Sequence, residues 1–108
     1  MTPELRIQSL NDMLRSTFIG GHVFTTEGLR AQGEEFVEQA FSAVRNFAEF
    51  SKDNDPHGEH DFGAIDIGET TVFWKIDYYD LTMEGGSEDP ANPDVTRRVL
   101  TILLASEY

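Results

Sequence analysis

Apolar residues fall at two different spacings along the chain, and the spacings predict its elements. Ile7, Leu10, Met13, Leu14 and Phe18 recur every three or four residues and predict a helix over 3–17. Thr2 can cap it and Pro3 suits its first position, while Gly20-Gly21 closes it. Asn11 and Asp12 are assigned to its watery side. Residues 22–26, HVFTT, are β-branched and aromatic and predict a short strand, with His22 at the surface. Thr26 to Gly33 is a connection with room for one helical turn around Leu29. Phe36, Val37, Ala40, Phe41, Val44, Phe47 and Ala48 then form a broad stripe and predict a helix over 34–50. Glu34 and Glu35 lie in its first turn, where carboxylates suit the helix dipole.

Residues 62–67 and 70–80 alternate with period two and predict a β-hairpin. Gly68-Glu69 fits a two-residue turn with glycine first. That turn sets Ile67 opposite Thr70, Ile65 opposite Val72, Gly63 opposite Trp74 and Asp61 opposite Ile76, on an apolar face shared with Tyr78. The other face pairs Phe62 with Lys75, Ala64 with Phe73, Asp66 with Thr71 and His60 with Asp77, with Tyr79 beyond. A slip of one residue would exchange the faces, so the register is well specified. Residues 81–94 are rich in turn formers. Asp94 is placed to cap a final helix from Val95, whose Val99, Leu100, Ile102, Leu103 and Leu104 cover much of its circumference. The expected fold is a single α+β domain over 1–108: a small antiparallel sheet made of the short strand and the hairpin, with about three helices on one face.

Charge changes this picture more than composition does. The chain of 108 residues carries a net charge of −12 and no cysteine, which excludes disulfides and thiolate metal sites. Residues 49–94 hold 13 Asp/Glu against 2 Lys, and the remainder 7 against 6 Arg, so the excess is −11 in the middle and −1 elsewhere. Direct nucleic-acid binding is disfavoured, because phosphates need neutralising Lys and Arg. A basic protein surface is the favoured partner, and solubility alone is the plainer account. No leader-like segment and no apolar run of membrane-spanning length is present, so a cytoplasmic protein without membrane contact is expected.

Asp53, Asp55, His57, Glu59, His60 and Asp61 cluster within nine residues. His57, Glu59, His60, Asp61 and Asp77 are the set that would hold a metal in a hydrolase or phosphodiesterase. The start of the cluster imitates a calcium loop, but Ala64 stands where the bidentate glutamate belongs. His57 and His60 lack the helical setting of a zinc protease. The structural alternative is a turn built by Asn54-Asp55-Pro56 and a cross-strand His60–Asp77 pair joined by Lys75. No catalytic residue and no cofactor is assigned.

Three blocks, NDPHGEHDFGAIDI at 54–67, VFWKIDYYD at 72–80 and RRVLTILLASEY at 97–108, resemble the small bacterial domain-of-unknown-function family 3768. NDMLRSTFIGGHVFTTEGL also fits that family's beginning, which extends the resemblance over nearly the whole chain. The resemblance implies an association with plasmids and other mobile elements of alphaproteobacteria.

The leading expectation is an acidic protein-binding module that inhibits a nucleic-acid-handling partner, in the manner of an anti-CRISPR or anti-restriction protein. Asp53, Asp55, Glu59, Asp61, Asp66, Asp77, Asp80, Glu84, Glu88 and Asp89 would present carboxylates, and Phe73 and Tyr79 would anchor the contact. A homodimer through the Phe73 face is a further possibility.

Overall fold

The computed structural model describes residues 1–108. Its elements are helix α1 (Pro3–Thr17), strand β1 (His22–Thr25), helix α2 (Glu27–Arg30), helix α3 (Glu34–Arg45), strands β2 (Phe62–Ile67), β3 (Thr70–Tyr79) and β4 (Arg97–Leu104), and a closing 3-10 turn, Ala105–Glu107. The fold is α+β, with one mixed four-stranded sheet in the order β1-β4-β3-β2. β1 runs parallel to β4; the other neighbours are antiparallel. All three helices contribute to one core on one face. Leu14, Leu29, Ala40 and Val44 pack there against Val72, Trp74, Ile76, Leu100 and Ile102.

The hairpin forms in the expected register, from Phe62 opposite Lys75 to Ile67 opposite Thr70. Gly68 takes a φ of +61°, which its turn requires and a side chain resists. Gly63 serves a different end: it makes room for Trp74. A methyl group there would enter the indole and lie 2.9 Å from Phe47 Cζ. Gly63→Ala is therefore expected to lower stability by roughly 1–3 kcal/mol, the cost of overpacking, measured as a lower urea midpoint.

The final helix is not formed. Residues 97–104 are instead one of the two interior strands of the sheet, between β1 and β3. An interior strand covered on both sides buries consecutive residues, here Arg98, Val99 and Leu100, and so loses the period-two signature. Helix α3 also stops at Arg45 instead of running to 50. Arg15 Nη1 donates to the carbonyls of Val44 and Arg45, each at 3.3 Å, which ends the helix against a cation. Phe47 and Phe50 then fold edge-on over Trp74, with ring centroids 5.5 and 6.1 Å away.

The face opposite the helices is less open than expected. Phe73 is half-buried, between Phe62 at 5.1 Å and Tyr108 at 5.5 Å. The chain end is tied down by Glu107, whose carboxylate accepts from Thr26 Oγ1 at 2.6 Å, Leu104 N at 2.9 Å and Gly28 N at 3.2 Å. The Thr26 hydroxyl first, and the backbone donors after it, hold this carboxyl below its ordinary 4.5. Its stabilisation is complete above that value and is lost as pH falls through the lower folded value. Glu107→Gln is expected to melt below the parent at neutral pH, with the difference closing in acid.

Candidate functional site

Strand direction brings two acidic loops to the same end of the sheet. β2 begins where β3 ends: Ile76 N donates to Asp61 O at 2.8 Å, and Tyr79 lies opposite Arg97. Segments 46–61 and 80–96 therefore leave the sheet side by side. The first carries Glu49, Asp53, Asp55, Glu59 and Asp61 with one Lys52. The second carries Asp80, Glu84, Glu88, Asp89 and Asp94 with no Lys or Arg.

Helix α1 staples both loops. Arg6 Nε donates to Ala91 O at 2.7 Å, and Gln8 Nε2 donates to Gly58 O at 2.8 Å. Asn11, fully buried, donates to Glu59 O at 3.0 Å and to the Tyr78 hydroxyl at 2.7 Å. Its Oδ1 accepts from Arg98 Nε at 2.8 Å, and Arg98 Nη2 reaches Pro90 O. Tyr78 donates onward to Glu59 Oε1 at 2.9 Å. Burial, above all, pushes the Tyr78 hydroxyl well above its ordinary range, so it stays a donor. The Arg98 guanidinium lies 5.1 Å from the centre of the Tyr78 ring.

His60 pins the first loop in a way that alternation does not predict. Its φ of +57° takes it out of the strand pattern, so it does not face Asp77. Its ring instead stacks on Phe50 at 3.7 Å, with Nδ1 2.8 Å from Asp12 and Nε2 3.6 Å from Asp55. Asp55 is buried; its Oδ1 accepts the backbone N–H groups of Glu59 and His60, both at 3.1 Å. Asp77 pairs with Lys75 at 2.8 Å, as the sequence allowed.

The proposed metal set does not assemble. No three of His57, Glu59, His60, Asp61 and Asp77 are placed to share an ion. Glu59 is committed to Tyr78, His60 to two aspartates, and Asp77 to a lysine.

The acids named as partner-binding residues divide into two groups. Asp55 is a buried loop cap, and Glu59 and Asp77 are engaged within the fold. Asp61 is half-buried, and burial first, then Glu59, raises its carboxyl above the ordinary 3.8. Asp80 Oδ1 holds Thr82 and Glu84 in a turn; the Thr82 hydroxyl is the main cause of its lowered value. Asp66 bonds Thr71 on the hairpin itself. Asp53, Glu84, Glu88 and Asp89 are exposed, and no hydrogen bond holds their carboxylates. Phe73 and Tyr79 are half-buried on the opposite sheet face.

Asn11, Arg15 and Arg98 organise this end; Asn11 is not on the watery side of α1 where it was expected but fully buried, because its amide bonds both loops' anchors. A signal was available. Asn11 stands four residues after Ile7 and three before Leu14, on the apolar side of α1.

The model of the family described as Protein of unknown function (DUF3768) matches residues 25–107. The chain belongs to that family. The matched stretch contains both acidic loops and the whole of β2, β3 and β4, whereas α1 precedes it, so the match is shorter than the sequence resemblance suggested. No curated protein and no solved structure matches the chain. No helix is long and apolar enough to cross a membrane.

Proposed function

We propose that this protein is an acidic, non-enzymatic binding module that covers a basic, nucleic-acid-handling surface on a partner protein. The observation that supports it is the placement of two acidic loops at one end of the sheet, with Asp53, Glu84, Glu88 and Asp89 unengaged. Carboxylates held at such an end meet Lys and Arg that otherwise meet phosphates, so the partner's nucleic acid is displaced. The α1 staples support the reading from another side: they fix both loop backbones and leave these four side chains to solvent. Preorganised loops lose less freedom on binding. In this reading the module is an inhibitor of the anti-CRISPR or anti-restriction kind, carried by a mobile element.

The test is capture from a bacterial lysate on immobilised protein at low and high salt. A nucleic-acid-binding protein retained at low salt and released at high salt is expected, since exposed ion pairs are screened. Capture of nothing, or of partners indifferent to salt, contradicts the proposal.

A further inference from the structure

The acidic loops flank an unpaired sheet edge, and the hydrogen-bond parity of the hairpin shows which of its groups are unused. Ile76 N donates to Asp61 O, so the odd positions Asp61, Gly63, Ile65 and Ile67 carry the bonds to β3. The even positions Phe62, Ala64 and Asp66 then direct their N–H and C=O groups away from the sheet. The other edge differs. β1 has only four residues, and Arg30 Nη1 already caps the Thr25 carbonyl there.

A cleft of about 440 Å³ lies between this β2 edge and the end of α3, lined by Asn46, Phe47, Glu49, Ala64, Ile65 and Asp66. Beside Phe47 sits the fully buried Trp74, whose Nε1 has no acceptor. The site thus offers backbone donors and acceptors, an apolar wall and two carboxylates.

We infer that β2 accepts an extended, basic segment of the partner protein as a fifth strand, with lysine or arginine side chains beside Glu49 and Asp66. Strand addition supplies main-chain bonds for affinity, and side-chain pockets for selectivity. Charge decides the occupant. A second copy would set Glu49, Asp66 and Glu69 against themselves in a chain of net charge −12, whereas a basic strand is attracted along the whole edge. This inference rests on the acidic-recognition reading and adds its mode of engagement.

The probe is a blocked hexapeptide of alternating lysine and valine, with the glutamate–valine peptide as control. Amide hydrogen exchange and NMR shifts are followed in the full protein. The lysine peptide is expected to slow exchange at Phe62, Ala64 and Asp66 and to bind at least tenfold more tightly than the glutamate peptide. Ala64→Pro removes only an outward N–H, the strand position where proline is tolerated, and is expected to weaken binding at least tenfold with the melt unchanged. If that variant fails to fold, protection of the three amides in the parent protein decides. Lysine-peptide binding that perturbs the acidic loops and protects none of the three amides overturns the edge inference and leaves acidic recognition standing. Failure to bind the lysine peptide, while the lysate partner is still captured, overturns it likewise. Protection that grows with protein concentration and needs no peptide assigns the edge to a second copy, and also overturns it.

Discussion

Deletion of residues 97–108 is expected to leave a chain with no cooperative unfolding transition. The segment is one of the two interior strands of the sheet: it supplies both ladders that join β1 to the hairpin. Val99, Leu100, Ile102 and Leu103 are at most 6% exposed. Burying each is worth about 1.5–3 kcal/mol, so the four together account for roughly 6–12 kcal/mol. That range covers much of the 5–15 kcal/mol typical of a folded domain. Circular dichroism through a thermal ramp checks it. A milder change, Ile102→Ala, is expected to keep the fold at a cost of about 2–5 kcal/mol. A sharp, parent-like melt in the deleted chain would show that β4 is not the centre of the structure.

Asn11→Ala is expected to cost about 3–5 kcal/mol, far more than its size suggests. The side chain is fully buried, and it bonds Glu59 O, Tyr78 and Arg98 at once. Removing it leaves a buried guanidinium N–H without an acceptor, and hydrogen bonds to charged groups are the costly ones to break. Both acidic loops should loosen together, because Glu59 stands in one and Arg98 grips Pro90 in the other. Limited proteolysis within 51–61 and 81–96, beside a urea titration, reads both effects. Tyr78→Phe removes one hydroxyl of the same network, so the double variant should lose less than the sum of the two. Strict additivity would show that the network is not one unit.

The hairpin and the first helix were legible in the sequence because each has one wet and one dry side. Gly68-Glu69 fixed the turn, and the alternation of Val72, Trp74 and Ile76 with Phe73 and Lys75 fixed the faces. The segment 97–104 was not legible as a strand. A run buried on both sides has no alternation, and only the tertiary ladders distinguish it from a buried helix. The end of α3 and the position of His60 were hidden for a related reason. One depends on Arg15, thirty residues upstream, and the other on a left-handed backbone at a histidine. The acidic character of the candidate site was readable from composition. Which acids remain available was not, since Asp55, Glu59 and Asp77 are taken up by contacts with the rest of the fold.

Charge position, as distinct from charge amount, is what the proposed recognition requires. Asp53→Asn, Glu84→Gln, Glu88→Gln and Asp89→Asn combined remove four unengaged carboxylates from the loop end. Glu27→Gln, Glu34→Gln, Glu35→Gln and Glu38→Gln remove the same number from α2 and α3. The decisive measurement is low-salt retention of the lysate partner by these two variants. Loss in the first with near-parent retention in the second is the predicted result; equal retention, or equal loss, would contradict it.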